Sequence, residues 1–179
     1  MNSKQISIDE VKASIRDVVD FPKEGIVFKD ITTAIKDPAV LVYCVDELYE
    51  YYKDKGITKV IGIESRGFIL GSVLAYRLNA GFVPVRKPGK LPAETIQESY
   101  DLEYGTDTIE IHKDALNKED VVLIHDDLLA TGGTVCAATS LVDKFGVKKS
   151  YVNFMVELDF LKGRERIEDK YDVYSLLRF

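Results

Sequence analysis

The sequence predicts an α/β protein: a parallel β-sheet flanked by helices. Three observations lead to that class. Short runs such as Lys59 to Ile63, Phe82 to Val85 and Val121 to Ile124 are apolar along most of their length, as strands buried on both faces are. Segments with helical spacing separate these runs, which is the rhythm of βα units. The chain has 179 residues, of which 46% are hydrophobic; that suits one domain with a sizeable core.

The first helix is expected over Ser7 to Val18. Ser7 and Glu10 form a capping-box pattern, and Ile8, Val11, Ile15 and Val18 share one face. Phe21 to Thr33 (FPKEGIVFKDITT) holds Pro, Gly and polar turn formers and reads as an ordered loop. Asp37 and Pro38 read as N-cap and first residue of a helix that carries Leu41, Val45, Leu48 and Tyr52 on one stripe and stops at Gly56. The strand Lys59 to Ile63 passes through the turn Glu64 to Gly67 into a helix over Phe68 to Leu78. The strand Phe82 to Val85 follows. Thr95 to Tyr100 and Thr108 to His112 are two extended arms around a polar tip, Asp101 to Asp107; they interrupt the βα rhythm and read as an insertion over one end of the sheet. Strand Val121 to Ile124, helix Thr134 to Phe145 with Gly146 as its stop, and strands Ser150 to Val156 and Tyr171 to Leu177 complete the chain.

The formal net charge of −6 argues against broad contact with nucleic acid, which needs clustered Lys and Arg. A local pocket can still be positive and take a small anion. No apolar run reaches a membrane-spanning length, and the N-terminus lacks a signal-peptide pattern. A cytoplasmic protein without membrane contact is expected. Cys44 and Cys136 lie in helical segments among apolar neighbours and read as buried free thiols.

The most informative stretch is Val121 to Thr134, VVLIHDDLLATGGT. An apolar strand leads to two adjacent acids, Asp126 and Asp127, then to the loop Ala130-Thr131-Gly132-Gly133-Thr134 and a helix start. Unpaired N–H groups at such a start, with the helix dipole, favour an anion. Glycine lets the backbone approach a phosphate closely, and Thr131 and Thr134 add hydroxyl donors. No Lys follows the glycines, so this is not the P-loop pattern, and no G-x-G-x-x-G supports a dinucleotide. Two carboxylates about 6 Å apart repel by roughly 3 kcal/mol at an effective dielectric near 20. Their pairing points to a ligand such as a ribose diol or a metal-bearing group.

At this string the chain resembles the type I phosphoribosyltransferase family, whose phosphoribosyl-pyrophosphate (PRPP) motif reads DDLLATGGT in its adenine-specific members. Phe21 to Lys36, IESRGF from Ile63 to Phe68, RKPGKLP from Arg86 to Pro92 and ESYDLEYG from Glu98 to Gly105 resemble further family signatures in the same order. The resemblance implies the type I fold over residues 1–179 as a single domain. A small N-terminal base-binding hood would span 1–36 and a flexible β-arm flap 95–112. It implies the reaction adenine plus PRPP to AMP plus pyrophosphate, in purine salvage, with Mg²⁺ held mainly through PRPP. Ala130 to Thr134 would take the 5′-phosphate, and Asp126 and Asp127 would lie near the ribose hydroxyls. Arg66, Arg86, Lys87 and Lys90 would neutralise the pyrophosphate. Val27 and Lys29 would read adenine through the backbone, with Phe28 stacking on the ring. Glu103 and Tyr104 would close over the site at the flap tip, Glu103 meeting adenine N7. A homodimer is expected on the same ground. His125 reads as a structurally satisfied strand-end histidine. Two competing readings are a transferase for another base, such as hypoxanthine, xanthine or orotate, and a PRPP-binding regulator without catalysis. The FPKEGIVFKDITT segment speaks for adenine; the acidic balance and the lack of an appended domain speak against the regulator.

Overall fold

In a computed structural model that describes residues 6–21, 24–25, 27–101 and 105–179, the chain forms two compact units, Met1–Leu48 and Tyr49–Phe179. The first unit thus runs past residue 36. It begins with helix α1 (Ile8–Ser14), where Ser7 and Glu10 complete the capping box. The helix ends earlier than its apolar spacing suggests. Ile15 is already extended, and Arg16–Val19 form strand β1, antiparallel to β2 (Val27–Asp30). The expected loop over 21–33 therefore contains a strand and the start of helix α2 (Thr32–Ile35). Cross-strand pairing outweighs the helical period: Arg16 faces Asp30, Asp17 faces Lys29, and both pairs form ion pairs. The Thr32 hydroxyl, then Arg16, draw the Asp30 carboxyl down to about 2. Helix α3 (Pro38–Tyr52) follows, with Asp37 Oδ1 accepting from Ala39 N at 2.8 Å. Cys44 on α3 is buried and free, and burial pushes its thiol up to about 12.

The second unit is built on five strands. These are β3 (Lys59–Ile63), β4 (Gly81–Val85), β7 (Val121–Leu129), β8 (Lys149–Glu157) and β9 (Asp172–Arg178). Between them in sequence lie helix α4 (Gly67–Arg77), the arms β5 (Thr95–Asp101) and β6 (Thr106–His112), and helix α5 (Gly133–Asp143). The sheet order is β4-β3-β7-β8-β9, and all four pairings are parallel. On one face Ile61, Ile63, Val122, Ile124, Val152 and Phe154 pack with α5 and with Ile109 and Ile111 of β6. On the other, Val60, Leu123 and Tyr151 pack with Tyr52, Ile57 and Ala75. Burial on both faces is why these strands lack a polar alternate position.

From β3 the chain goes one way to β4 and the other way to β7, so the strand order reverses between β3 and β7. Open α/β sheets bind ligands at the carboxyl ends beside such a reversal. Strand β7 is also longer than its apolar run. Its pairing with β3 ends at Gly62–His125, whereas its pairing with β8 continues to Leu129–Glu157. Asp126 and Asp127 thus lie within β7, beyond its last pair with β3, rather than after the strand. Backbone pairing to β8 carries the strand through polar residues that its side chains alone would not favour. The arms β5 and β6 pair antiparallel from Thr95–His112 to Asp101–Thr106. Cys136 on α5 is free and half-buried.

Ile124 is fully buried in the central strand. Ile124→Ala is expected to lose about 2–5 kcal/mol, read as a lower urea midpoint with an unchanged slope.

Candidate active site

The carboxyl ends of β3 and β7 frame a cavity of about 420 Å³. Arg66, Lys87, Asp126, Asp127, Ala130 and Thr134 line it, a union of six residues that the sequence singles out from three separate signatures. Arg86 and Lys90 do not line it. Arg86 lies behind the wall and forks onto Glu64, with Nε to Oε2 at 3.2 Å and Nη2 to Oε1 at 3.3 Å. The same carboxylate accepts from Lys87 N at 2.9 Å. Burial would raise the Glu64 carboxyl, but these donors hold it below its ordinary value. Glu64 therefore braces the basic loop, while Arg66 turns instead to Asp127, its Nε donating to Oδ2. Lys90 is exposed, and its amide donates to Lys87 O at 3.3 Å.

The acids differ in environment although they are neighbours. Asp127 is 3% exposed and paired to Arg66. Asp126 Oδ1 accepts from Asp127 N at 2.8 Å. Burial first, then the adjacent Asp127 charge, push the Asp126 carboxyl well above its ordinary value. Like charges in a low-dielectric wall do not both ionise readily. Behind them His125 is fully buried within β7, not at a strand end. Its Nδ1 pairs with Asn153 Oδ1 at 2.8 Å, while Nε2 has no partner among the described residues. Burial lowers its value to about 4, so it is a neutral imidazole at neutral pH.

The phosphate loop follows β7. Gly132 sits at the N-cap of α5 with φ of +85°, a conformation that favours glycine. Cys136 N is the amide that donates to Gly132 O, at 3.0 Å, so the amides of Gly133, Thr134 and Val135 precede the first intrahelical bond. A smaller recess of about 70 Å³ is lined by Thr131 to Val135 together with Asp126 and Phe154. The unpaired amides, the dipole of α5 and the threonine hydroxyls converge there, a surface suited to a phosphate.

Among the lining residues to which the sequence reading gave no role are Tyr100 and Asp107. They face each other across the arms. Tyr100 OH donates to Asp107 Oδ2 at 3.2 Å and accepts from Thr134 Oγ1 at 3.2 Å. Asp107 also pairs with Lys87 Nζ. The hairpin register over 95–112 was the signal that could have joined them, because it sets Tyr100 opposite Asp107. Glu110, 2% exposed, ties the base of the arms to the basic loop by accepting from Gln97 Nε2, Thr95 Oγ1 and Leu91 N.

Val27, Phe28 and Lys29 lie on β2 of the first unit. Val27 is exposed, Phe28 packs edge-on against Phe21 with ring centroids 5.3 Å apart, and Lys29 pairs with Asp17. Glu103 and Tyr104 lie outside the described residues.

A helix start with free amides beside paired acids, with cations facing them at a strand-order reversal, has the chemistry that suits a phosphorylated sugar. Comparison with known proteins agrees. The family described as phosphoribosyl transferase domain matches residues 32–178, and the chain belongs to that family. Adenine phosphoribosyltransferase of Bacteroides thetaiotaomicron is 63% identical over 164 residues, covering 92% of this chain and 93% of that protein. The solved adenine phosphoribosyltransferase of Rhodothermus marinus superposes with a TM-score of 0.91 at 51% identity, covering 96% and 97% of the two chains. The enzyme from Giardia lamblia, solved with 9-deazaadenine, superposes at 0.93 with 46% identity over 97% and 98%. Within the family this chain is one of the adenine phosphoribosyltransferases.

The raised Asp126 carboxyl has a consequence for stability. Above the ordinary value of 3.8 the unfolded chain releases this proton while the folded chain keeps it. Stability is therefore lost as pH rises from there toward the folded value. Asp126→Asn keeps an oxygen acceptor for Asp127 N and removes that loss. Its melting temperature relative to the parent is expected to rise between pH 4 and pH 8, by roughly 2–4 °C per kcal/mol recovered. A difference that stays flat with pH would contradict the assignment.

Proposed function

We propose that this chain transfers the 5-phosphoribosyl group of PRPP to adenine, releasing pyrophosphate and giving AMP in purine salvage. The observation that carries the reading is the convergence in one cavity of Ala130 and Thr134, the Asp126–Asp127 pair and the cations Arg66 and Lys87, with the recess lined by Thr131 to Val135 sharing Asp126, Ala130 and Thr134 with it. Its volume lies in the range of small-molecule sites. The loop amides and the hydroxyls of Thr131 and Thr134 hold the 5′-phosphate. Asp126 and Asp127 meet the ribose hydroxyls, and the Asp127 carboxylate stabilises positive charge on the ring as the C1–O bond breaks, the oxocarbenium character familiar from glycoside chemistry.

The leaving diphosphate competes for the cations. Arg66 and Lys87 rest on Asp127 and Asp107 in this structure, so an arriving diphosphate exchanges one anionic partner for another and meets donors already in place. Arg86 and Lys90 act on the same group through the basic loop, which Glu64 braces. With Asp126 holding its proton, the carboxylates of Glu64, Asp107 and Asp127 line the cavity against the two cations Arg66 and Lys87, so an anionic ligand needs further positive charge. Among the described residues no cluster of three or more His, Cys, Asp and Glu forms a metal cage. The acids lining the cavity fit Mg²⁺ that would arrive on the diphosphate and be held mainly by the ligand's own oxygens. When bound there, the ion supplies charge neutralisation to the leaving group.

In this reading residues 1–36 form the base-binding hood. Backbone groups of Val27 and Lys29 read adenine, and Phe28 stacks on it. A carbonyl that accepts from the 6-amino group and an amide that donates to N1 disfavour a 6-oxopurine, because both polarities reverse. The arms over 95–112 act as a flap that excludes water, with Glu103 and Tyr104 at its tip and Glu103 toward N7. The enzyme works as a homodimer. Ile69, Val73 and Tyr76 share one face of α4 and are 39%, 36% and 84% exposed, an apolar stripe that a second copy would cover. The free thiols Cys44 and Cys136 suit a reducing cytoplasm. Among the described residues no helix is long and apolar enough to cross a membrane.

The decisive assay mixes the protein with Mg²⁺ and PRPP, offers each nucleobase separately and identifies the nucleotide by chromatography. AMP from adenine is expected. A product from hypoxanthine but not adenine overturns the base assignment, and no product from any base returns the regulator reading. Asp127→Asn is expected to lower kcat by roughly a hundredfold with an unaltered circular dichroism spectrum. Tyr76→Glu is expected to shift sedimentation from dimer to monomer.

A further inference from the structure

After Glu157 the chain leaves the sheet and passes behind the phosphate loop. Leu158 N donates to Leu129 O at 3.0 Å, which keeps the departing segment beside the end of β7. Two short 3-10 turns follow, Asp159–Leu161 and Gly163–Arg166. Arg164 fastens this segment to the sheet. Its Nε donates to Glu157 Oε1 at 2.9 Å, its Nη1 to Val173 O at 2.7 Å and its Nη2 to Ser175 Oγ at 3.1 Å. Glu157 is 3% exposed, so the fastening is anchored in buried structure on β8 and β9.

The opposite side of the segment touches the loop, backbone against backbone. A Cβ placed on Gly163 would stand 2.1 Å from Ala130 O and 3.0 Å from Gly132 N. A Cβ on Gly132 would stand 2.6 Å from Gly163 O. No side chain fits between these strands of backbone without moving one of them. Arg166 adds a directed contact: Nη1 donates to Thr131 O at 3.0 Å, and Arg166 O accepts from Cys136 Sγ at 3.3 Å in the first turn of α5.

We propose that Gly163 and Arg166 are positioning residues that set the shape of the phosphate loop from behind and thereby its affinity for the ligand's terminal phosphate. The physical link is the planarity of the peptide unit. In a trans unit the C=O and the following N–H point in opposite directions. The Ala130 carbonyl lies against Gly163, which sends the Thr131 N–H the other way. The Thr131 carbonyl is held by Arg166, which sends the Gly132 N–H the other way. Two amides of the loop are aimed by contacts made to the carbonyls behind them. Neither positioning residue belongs to the signatures read from the sequence, and neither lines the cavity.

This inference rests on the reading that Ala130 to Thr134 hold the 5′-phosphate. The test uses calorimetry on the full chain with Mg²⁺ and two probes. Ribose 5-phosphate carries the terminal phosphate without the diphosphate, and pyrophosphate carries the reverse. Gly163→Ala is expected to weaken ribose 5-phosphate by about tenfold or more, with pyrophosphate held within about twofold. Arg166→Met, which removes one hydrogen bond from an exposed side chain, is expected to weaken ribose 5-phosphate by about three- to tenfold and carries the test should Gly163→Ala not fold. In turnover assays the same variants should raise KM for PRPP and leave KM for adenine in place. Equal loss of both probes would mean general damage and overturn the proposal. Thr134→Val, a change inside the loop, separates the two layers. If it weakens ribose 5-phosphate while Gly163→Ala and Arg166→Met do not, the positioning role alone falls. If it too leaves binding unaltered, the phosphate reading falls and takes this inference with it.

Discussion

Strand β7 runs on for several residues after β3 has stopped, and the site is built in the space that this mismatch opens. Beyond Gly62–His125 one edge of β7 loses its neighbour, while the other stays hydrogen-bonded to β8 as far as Leu129–Glu157. The strand is thus rigid on one side and open on the other where it carries Asp126 and Asp127. Because the strand order reverses at this place, the loops after β3 and β7 diverge to opposite faces and leave a crevice. Arg66 enters it from the β3 side, and the phosphate loop begins on the β7 side.

Charge is arranged within that crevice so that no ion is abandoned in the protein interior. Asp127 has Arg66, Lys87 has Asp107, and Glu64 holds Arg86 together with the Lys87 amide. Asp126, shielded and beside another carboxylate, is pushed toward its neutral form. A buried charge without a partner costs several kcal/mol, so the pairs serve stability. The same pairs keep donors and acceptors oriented toward the reacting groups, which lowers the reorganisation needed when a ligand arrives. The neutral pair His125–Asn153 beneath the acids adds polarity without adding charge.

The support behind the phosphate loop shows how far such orientation extends. The carbonyls on the far side of the loop amides are already committed, that of Ala130 to Gly163 by contact and that of Thr131 to Arg166 by a hydrogen bond. Arg164 transmits the position of β8 and β9 to that segment. A site on a loop gains the precision of the sheet when its backbone is clamped to a fixed element.

The sequence by itself determined the fold class and most of the elements, and it singled out six of the residues that meet in the cavity. Continuous apolar runs can be buried only between two helical layers, and the string DDLLATGGT combines acids with a helix start that binds anions. Those are local properties, and strand β3 falls where the sequence puts it, with α4 one residue earlier than its apolar spacing suggests. Local rules failed where pairing over distance prevailed. Val18 left its helix for a strand because β2 offered a partner, and β7 extended through its acids because β8 did. Tertiary structure alone decided that Arg66 pairs with Asp127 rather than Glu64. It alone joined Tyr100 and Asp107 to the cavity wall and brought Gly163 against a loop some thirty residues earlier in the chain. Each of these depends on which side chains and carbonyls meet once the sheet has assembled, a relation that spacing along one strand does not contain.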